Sequence, residues 1–367
     1  MGIVQDELFF ITRAGKKKSM RILVVGNMGY IGPVVVRHLR KSFPTAHITG
    51  YDLCLFGQCL TTHGPLPEIS LQMQYFGDVR DISYEFLHEV DAVIHLAAIS
   101  NDPMGSRFEE VTDQINRGGS LHLARMAVKA GVKHFVFASS CSVYGVASGP
   151  ARKETDPVEP LTAYARSKIE TEQALAEMEL GDMTVTCLRF ATACGFSDRL
   201  RLDLVINDFV ASALTTGEIV VLSDGTPWRP LIHVRDMARA IEWAATRRQG
   251  LPFMVVNAGS DEWNHTVRDL AEAVAEHIPG TTVSINTDAP PDRRSYKVDF
   301  SLFRTLAPDF LPQVSLAETI TELVAGLRNF GFADRNFRNS SLIRLHALKY
   351  MIDAGYLGMD LRWTPSA

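Results

Sequence analysis

A tyrosine and a lysine four residues apart, in the segment YARSK, could do acid–base chemistry together. The segment lies within a helical pattern, so this spacing places Tyr164 and Lys168 on one face of a helix. A phenol is a poor base at neutral pH because its pKa is about 10, but a nearby ammonium group favours the phenolate and lowers that pKa. Tyr164 could then take a proton from a substrate hydroxyl while a hydride leaves the substrate. The same spacing is common by chance on solvated helix faces, so this interpretation depends on neighbouring motifs.

Hydroxyl and thiol groups are concentrated in the stretch SSCSVYG, residues 139–145, directly after the apolar run HFVFA. The stretch is therefore expected to begin where a buried strand ends and the chain becomes exposed. A serine here could orient the substrate hydroxyl from the side opposite Tyr164. The sequence raises the question of which group does chemistry, the hydroxyl of a serine or the thiol of Cys141.

A glycine-rich turn follows the apolar run RILVV directly, with Gly26, Gly29 and Gly32 at three-residue spacing. A strand that leads into such a turn and then a helix brings backbone amides and the positive helix end close to a pyrophosphate, where side chains would obstruct it. The second predicted strand ends at Asp52, twenty residues after Gly32. An acidic side chain there can accept both ribose hydroxyls of NAD and repel the extra phosphate of NADP. The sequence therefore predicts an NAD site, in which Asp78 could hold the adenine amine.

Strand-like apolar runs alternate with helical segments from Met20 to about residue 185. The runs are short and rich in Val, Ile and Phe: RILVV, HITGY, DAVIHLAA, HFVFAS and VTCLRF. Near-continuous apolar strands separated by helices indicate an α/β fold, a doubly wound parallel sheet covered on both faces, over residues 20–185. Loops, short strands and helices are mixed after that point. This change predicts a smaller mixed α/β lobe over residues 186–334, interleaved with the first.

The overall composition excludes several functional classes. The chain has 367 residues, of which 46% are hydrophobic, enough to bury a large core in two lobes. Its net charge of −5 offers no general attraction for nucleic acid or an anionic membrane. No apolar run approaches the roughly 20 residues that cross a bilayer, and residues 1–19 are predicted to be a polar tail without a signal-peptide core. Five cysteines without paired CxxC spacing disfavour disulfides and a metal site, so a reduced cytoplasm is the expected location.

Six motifs, in this order and spacing, resemble the extended short-chain dehydrogenase/reductase family, specifically its nucleotide-sugar epimerase and dehydratase branch. The motifs are GNMGYIG, Asp52, HLAA, SSCSVYG, YARSK and LIHVRDMARAI. The resemblance covers about residues 20 to 330. It implies a Rossmann domain with tightly bound NAD, a C-terminal lobe that binds the nucleoside diphosphate of a sugar substrate, and a homodimer.

The resemblance also implies a role for individual residues. Ser140 takes the position of the catalytic serine, with Tyr164 as the base, Lys168 as its partner and Asn116 as a structural residue. The implied cofactor-binding residues are Gly26, Gly29, Tyr30, Ile31, Gly32, Asp52, Asp78, Val79, Ala97, Ala98, Tyr164 and Lys168.

The residues that follow Ser140 distinguish several reactions of the resembled family. Sugar 4,6-dehydratases have an Asp-Glu pair there, and similar decarboxylases keep a glutamate at the second position, whereas this chain has Cys141 and Ser142. Epimerase-reductases that act at C3 and C5 place a cysteine two residues before the motif tyrosine, whereas Cys141 is three residues before Tyr144. In an extended chain Ser142 shares the face of Ser140 and Cys141 points away. Cys141 is therefore interpreted as a small buried residue.

Two arginines are candidates for binding the substrate diphosphate, because a guanidinium can bind phosphate oxygens bidentately. Arg229, in TPWRPLIHVRD, matches the arginine with that role in the family, and Arg294, in DRRSYKVD, is the second candidate. Thr192 stands where 4-epimerases usually have an asparagine near the substrate. The loops at 100–105 and 200–208 are expected to approach the sugar, although neither is the common epimerase version. The predicted substrate-binding residues are Asn101, Ser142, Thr192, Arg201, Arg229 and Arg294.

The chemistry that remains requires only Tyr164, Ser140 and NAD. A sugar hydroxyl is oxidised to a ketone, and hydride is then returned. If the keto sugar turns over between the two steps, the enzyme is an NDP-sugar 4-epimerase, which is the predicted function. If the ketone leaves, the enzyme is a 4-dehydrogenase or, in reverse, a 4-ketoreductase. A dehydratase and a non-catalytic NAD-sensing or RNA-binding protein are further alternatives.

Residues 335–367 are an addition to the usual length of the resembled family. Leu342, Leu345, Leu348 and Ile352 recur there at helical spacing. The helix is expected to pack on the body of its own chain or on a partner subunit. No chemistry is assigned to this extension.

Overall fold

The computed structural model describes residues 10–11, 17–100, 104, 107–146, 149–248, 250–289 and 295–365. The strands, numbered in chain order, are β1 (Phe10–Ile11), β2 (Lys17–Lys18), β3 (Arg21–Val25), β4 (His47–Asp52), β5 (Met73–Phe76), β6 (Ala92–His95), β7 (His134–Ser140), β8 (Thr184–Phe190), β9 (Thr192–Cys194), β10 (Glu218–Val221), β11 (Trp228–His233), β12 (Phe253–Ala258), β13 (Asn264–Thr266) and β14 (Thr282–Ile285). The α-helices are α1 (Gly32–Ser42), α2 (Glu109–Asp113), α3 (Ser120–Ala130), α4 (Ala163–Ala176), α5 (Val205–Thr216), α6 (Val234–Thr246), α7 (Val267–His277), α8 (Ser301–Leu306), α9 (Leu316–Asn329) and α10 (Arg344–Asp353). Within these described residues, no helix combines the length and apolar character needed to cross a membrane.

Seven parallel strands form the central sheet in the order β12-β8-β7-β6-β3-β4-β5. The predicted doubly wound α/β fold is confirmed. The strand order reverses between β3 and β6, and in sheets of this kind ligands bind at the carboxyl ends of the two strands where the reversal occurs. β8 crosses the domain boundary predicted at residue 185, and β12 comes from the range predicted for the second lobe. The two predicted lobes therefore share this sheet. The division into domains stays a prediction.

Both faces of the sheet are buried, as the unbroken apolar runs of the sequence predict. Along β3, Ile22 and Val24 belong to one hydrophobic core, which includes residues of α1 and α6. Leu23 and Val25 point to the opposite face and belong to a second core, which includes residues of α3. Side chains alternate across a strand, so a helix layer on each face leaves no polar position in the middle of β3.

The second lobe is built from two small sheets and the helices beside them. β9 begins two residues after β8 ends and pairs in parallel with β11, which pairs in turn with β13 in the antiparallel sense. β10 and β14 form a separate parallel pair. Because β9 continues directly from the central sheet, this lobe lies beside the carboxyl ends of the central strands.

The C-terminal extension packs on the body of its own chain. Leu348 and Met351 of α10 are buried, with Leu357 and Leu361 beyond the helix, in the same core as Leu55. The expectation that this helix packs on something is confirmed, and the structure selects the first of the two surfaces considered.

We expect Leu348→Ala to lower the free energy of unfolding by about 2–5 kcal/mol, because it leaves a cavity in a packed core. Tyr350→Ala is the matched control on the same helix, since Tyr350 is 68% exposed, and it should change stability by less than about 0.5 kcal/mol. Urea unfolding of both variants checks the difference. Equal losses would contradict packing of α10 on its own chain.

His95, at the carboxyl end of β6, is a buried uncharged histidine. Its side chain is 1% exposed, and Nε2 lies 2.7 Å from the Ser120 hydroxyl oxygen. Burial lowers the pKa of His95 to about 3, and the positive charge of Lys168 lowers it in the same direction. The folded protein therefore keeps this ring neutral at pH values where an unfolded chain, with a histidine pKa of about 6.5, protonates it.

Acidification from pH 7 to pH 5 should therefore destabilise the fold, since only the unfolded state gains the proton on His95. The loss attributable to this one group is about 2 kcal/mol by proton linkage. His95→Gln removes the titrating ring, so its stability should fall less over the same pH interval. Unfolding in urea at the two pH values measures the difference, and identical pH slopes for wild type and variant would refute the assignment.

Candidate active site

A cleft of about 1310 Å³ opens where the strand order reverses, between the glycine turn, the end of β7, α4 and the second lobe. Every predicted site residue that the structure describes lines it: Gly26, Gly29, Tyr30, Ile31, Gly32, Asp52, Asp78, Val79, Ala97, Ala98, Ser140, Ser142, Tyr164, Lys168, Thr192, Arg201 and Arg229. Asn101 and Arg294 lie outside the described residues. The structure thus brings these residues to one place, while the role of each stays a prediction.

The glycine turn approaches neighbouring backbone too closely for side chains at two of its positions. A Cβ on Gly26, whose φ is +87°, would lie 2.3 Å from the amide nitrogen of Ala97, and one on Gly32 would lie 2.1 Å from the carbonyl oxygen of Asn27. Pro33 occupies the first turn of α1, where its missing N–H group costs nothing. The turn therefore presents bare backbone at a helix N-terminus, which suits a pyrophosphate.

Asp52, at the end of β4, is held by two backbone amides. Oδ1 accepts a hydrogen bond from the Cys54 amide at 2.7 Å, and Oδ2 accepts one from the Met28 amide at 2.9 Å. Burial raises the pKa of Asp52, and these two amide hydrogen bonds oppose that rise. Each carboxylate oxygen can accept a further hydrogen bond, so the arrangement fits recognition of ribose hydroxyls.

Asp78 faces the same cleft but already has cationic partners. The Arg80 Nε lies 2.9 and 3.0 Å from the two carboxylate oxygens, and Arg362 of the C-terminal extension lies 3.6 Å from Oδ2. An adenine amine at this position would share the carboxylate with these guanidinium groups. Residue spacing could not predict the contact with Arg362, because Arg362 is 284 residues further along the chain.

Ser140 is the last residue of β7, and its side chain meets that of Ser142. The Ser140 hydroxyl donates to Ser142 Oγ at 2.9 Å and accepts from the Ser142 amide at 3.1 Å. The extended chain expected after Ser140 is wrong, because residues Cys141–Tyr144 form a 3-10 turn that this amide bond begins. Cys141 nevertheless points inward, with Sγ donating to the carbonyl oxygen of Arg189 at 3.1 Å, and burial raises the pKa of its thiol.

Tyr164 and Lys168 lie on the face of α4 that lines the cleft. The hydroxyl of Thr162 caps the helix by accepting from the Ala165 amide at 3.2 Å. Lys168 Nζ lies 5.5 Å from the centre of the Tyr164 ring and donates to the Ala138 carbonyl oxygen at 2.7 Å. Burial lowers the pKa of Lys168 to about 7, and the nearby Glu172 carboxylate opposes this effect. Lys168 is therefore close enough to Tyr164 to act on it as a cation. Its lowered pKa means that it loses its proton more easily than an ordinary lysine.

Asn116 joins α4 to the loop after β6. Its Oδ1 accepts from the Ile99 amide at 2.8 Å, and its Nδ2 donates to the Ile99 carbonyl oxygen at 3.0 Å and to Ser167 Oγ at 3.1 Å. Asn116 lies in a π-helix, Gln114–Gly119, that joins α2 to α3. These contacts fix α4 relative to the carboxyl end of β6, in agreement with the structural role that the resemblance implies.

A buried ionic network contacts β7, the strand that ends at Ser140, and it was not predicted from the sequence. Glu172 accepts from the Ser139 hydroxyl and from Arg189, whose Nη2 lies 2.7 Å from Oε2. Arg189 Nη1 also donates to the Tyr144 hydroxyl at 3.0 Å. Burial lowers the pKa of Arg189, but the Glu172 carboxylate outweighs it and the net pKa is raised. The available signal was spacing, since Glu172 follows Lys168 by four residues and thus shares its helix face.

Arg201 and Arg229 enter the cleft from the second lobe. Arg201 pairs with Asp203, with an Nη2–Oδ2 distance of 2.9 Å, and donates to the Ser100 hydroxyl at 2.9 Å. Burial lowers the pKa of Arg201, and the Asp203 carboxylate more than offsets this. Arg229, on β11, donates to the Trp228 carbonyl oxygen at 2.9 Å. The two described arginines that were predicted to bind the substrate, Arg201 and Arg229, therefore both lie in the cleft.

The C-terminal extension also reaches the cleft, which the sequence did not predict. Arg338 and Arg344 line the wall, together with Ile343. The sequence assigned no chemistry to this segment. The available signal was the position of Arg344 between two apolar residues, Ile343 and Leu345, at the start of the predicted helix.

Comparison with known proteins agrees with this geometry. Residues 22–259 match the NAD dependent epimerase/dehydratase family, and the chain belongs to that family. A UDP-glucose 4-epimerase of Rhizobium leguminosarum bv. trifolii is 30% identical over 289 residues, covering 70% of this chain and 81% of that protein. UDP-glucuronic acid decarboxylase 2 of Arabidopsis thaliana is 24% identical over 336 residues, covering 89% of this chain and 72% of that protein. MoeE5, solved in complex with UDP-glucuronic acid and NAD, has a TM-score of 0.70 at 27% identity and covers 84% of this chain and 99% of that chain.

The family settles the cofactor and the general activity. The predicted membership of the epimerase and dehydratase branch of the extended short-chain dehydrogenases is confirmed, and so is the prediction of NAD as cofactor. The bare glycine turn and the Asp52 carboxylate fit this dinucleotide. The chain is an NAD-dependent enzyme that modifies nucleoside-diphosphate sugars.

Glu172→Gln should lower the free energy of unfolding by about 3–5 kcal/mol, because it leaves the Arg189 guanidinium buried without its carboxylate. Glu170→Gln is the matched control on the same helix. Glu170 is exposed and lies 3.3 Å from Arg117, so its loss should cost no more than about 1 kcal/mol. Urea unfolding of the two variants tests the network, and a loss below about 1 kcal/mol for Glu172→Gln would contradict it.

Proposed function

We propose that this enzyme is a nucleotide-sugar 4-epimerase that works through a transient 4-keto sugar. The observation that carries the proposal is which side chains face the cleft near the candidate base. Ser140, Tyr164 and Lys168 face one cleft, while Cys141 is buried against the Arg189 carbonyl group. No acid follows Ser140 to assist elimination of water, since the next two residues are Cys141 and Ser142. Oxidation and reduction at one carbon need no further acid–base residue.

Each residue has one task in the proposed mechanism. Tyr164 takes the proton from the 4-hydroxyl of the sugar and returns it after the keto sugar has turned over. Lys168 stabilises the phenolate form of Tyr164, because an ammonium beside a phenol lowers its pKa. Ser140 orients the hydroxyl by hydrogen bonding, and Ser142, 2.9 Å from Ser140, fixes the direction of the Ser140 hydroxyl. Bound NAD supplies the hydride acceptor and donor.

The second lobe is proposed to hold the nucleoside diphosphate. Arg229 and Arg294 are the candidates for the diphosphate, and Arg201, Thr192 and Asn101 for the sugar. Relatives named for UDP-glucose and UDP-glucuronic acid support a UDP-sugar as the first substrate to test. We also propose a homodimer in the cytoplasm, as is usual for the extended short-chain dehydrogenases.

A second candidate is an NDP-sugar 4-dehydrogenase or 4-ketoreductase. It is supported by Thr192, which lines the cleft where 4-epimerases usually have an asparagine. A dehydratase and a non-catalytic NAD sensor have less support, because the acids of the former are absent from positions 141–142 and the residues of catalysis are all present.

A substrate panel separates the two candidates. Purified protein is denatured to identify its released dinucleotide, and native protein is incubated with UDP-, GDP-, ADP-, CDP- and dTDP-sugars without added cofactor. Isomerisation at constant mass, followed by mass spectrometry and NMR, is the expected result for an epimerase. A two-dalton change that requires added NAD or NADH would replace the epimerase by the second candidate.

Tyr164→Phe should keep its NAD but lose turnover by at least about a hundredfold, since it lacks the hydroxyl that accepts the substrate proton. Tyr75→Phe is the matched control, because Tyr75 is 37% exposed on β5, and its activity should equal that of wild type. Released NAD and initial rates are measured for both variants. Unchanged turnover of Tyr164→Phe would disprove the mechanism.

A further inference from the structure

The C-terminal segment Phe337–Trp363, here termed the C-terminal strap, crosses the cleft from one side to the other. At one end Arg338 pairs with Asp208 of α5, with Nη2–Oδ1 at 2.6 Å. At the other end the Trp363 indole N–H donates to the Leu53 carbonyl oxygen at 2.7 Å, directly after Asp52. Both ends are thus attached to elements that line the cleft.

Arg344 lies between these two attachments and is unusual in its bonding. Its side chain is 1% exposed and lines the cleft. Nη2 donates to the Arg199 carbonyl oxygen at 2.6 Å, and Cζ lies 4.9 Å from the centre of the Phe56 ring. Nη1 is buried and has no hydrogen-bond partner in the described part of the chain. A buried donor without an acceptor is costly, so this nitrogen is suited to an acceptor from a bound molecule.

The charges around Arg344 indicate what kind of acceptor that is. Two neighbouring arginines have carboxylate partners, since Arg199 pairs with Glu68 at 2.8 Å and Arg201 pairs with Asp203 at 2.9 Å. Arg344 makes no ion pair with a carboxylate of the described residues, although the charge of Asp203, which is already paired with Arg201, acts favourably on it. The thiol of Cys59 is hydrogen-bonded to Arg344 and is kept neutral because burial raises its pKa.

The backbone of the helix strengthens the same preference. Arg344 is the first residue of α10, where the helix dipole is itself positive. Burial lowers the pKa of Arg344 to about 10, so the guanidinium stays charged at neutral pH. A cation at this end does not stabilise α10. An anion between the helix end and the guanidinium would interact favourably with both.

The position along the cleft identifies the anion. Arg344 packs on the ring of Phe56, four residues after Asp52, the candidate ribose acid. On the other side, the carbonyl oxygen of Leu342, two residues before Arg344, accepts a hydrogen bond from the amide of Leu202, next to Arg201, the candidate sugar-binding residue. Arg344 therefore lies between the ribose end and the catalytic end of the cleft. In a dinucleotide bound across the reversal of strand order, the group between the two nucleosides is the pyrophosphate.

We propose that Arg344 binds the pyrophosphate of NAD, so that the C-terminal strap completes the cofactor site that the glycine turn begins. The glycine turn supplies backbone amides on one side, and Arg344 supplies a charged donor from the other. A segment that lies beyond the family match at 22–259 is thereby part of the cofactor site.

Binding of dinucleotide fragments to full-length protein freed of its cofactor tests this assignment. Arg344→Met should weaken NAD and ADP-ribose about tenfold to a hundredfold, the usual effect of losing a hydrogen bond to a charged group. It should leave adenosine, which has no phosphate, unchanged. Arg344→Lys should recover part of the loss. Lys349→Gln is the matched control, because it removes an exposed charge from the same helix, and it should bind all three ligands as wild type does.

Thermal unfolding without ligand separates a binding role from a structural one. Arg344→Met removes the partnerless Nη1 donor and, with it, the Nη2 hydrogen bond to the Arg199 carbonyl oxygen. These two changes oppose each other, so the unfolding temperature without ligand should change little, while stabilisation by NAD is reduced. If NAD and ADP-ribose bind Arg344→Met as tightly as wild type, the proposal is wrong. It is equally wrong if only UDP binding weakens, because the anion is then the substrate diphosphate.

A crystal structure of the wild-type chain with NAD provides a test that needs no variant to fold. A pyrophosphate oxygen within about 3.2 Å of Arg344 Nη1 would support the assignment, and a nearest distance beyond about 4 Å would overturn it. None of these measurements uses turnover. The proposal can therefore fail while the enzyme proves to be a 4-epimerase, or hold while it does not.

Discussion

The close approach of the glycine turn to the end of β6 is the constraint on which the cleft depends. Gly26 lies so near the Ala97 amide that a Cβ would be only 2.3 Å away. The ends of β3 and β6 are held together here by hydrogen bonds from the Leu96 and Ala97 amides to the Val25 carbonyl oxygen. The cleft opens at this point, where the strand order reverses. The other elements of the site flank this pair: β4 brings Asp52 from one side, and β7 and α4 bring the candidate catalytic residues from the other.

Buried charged side chains surround the part of the cleft that contains Ser140 and Tyr164. Lys168, Glu172 and Arg189 are all almost completely buried, and the last two form an ion pair behind Ser139. Such a pair is weak evidence for stability, because its desolvation offsets much of the attraction. It does fix directions, since Glu172 is bonded both to the strand that ends at Ser140 and to Arg189 of the next strand. Ser140, the candidate catalytic serine at the end of that strand, therefore has little freedom to move.

The extension changes how the cofactor site is understood. The central sheet and the glycine turn recognise a dinucleotide by backbone geometry, which is a property of the fold rather than of this chain. The C-terminal strap adds side chains from residues far along the sequence, with Arg362 near Asp78 and Arg344 in the cleft wall. Substrate choice is a separate matter, because fold alone does not determine it. Thr192 and Arg201 are the described residues proposed to contact the sugar.

The sequence by itself determined the parallel sheet and NAD as the cofactor, and it predicted the candidate catalytic pair, because each depends on local order: strand, glycines and helix in succession, or a tyrosine and a lysine one helical turn apart. It also predicted that Cys141 is buried, although a 3-10 turn rather than an extended chain places it there. Only the tertiary structure decided the contacts between distant residues. Glu172 with Arg189, Arg362 with Asp78, and Arg344 in the cleft depend on how helices and strap pack, and residue spacing carries no information about packing partners far apart in the chain.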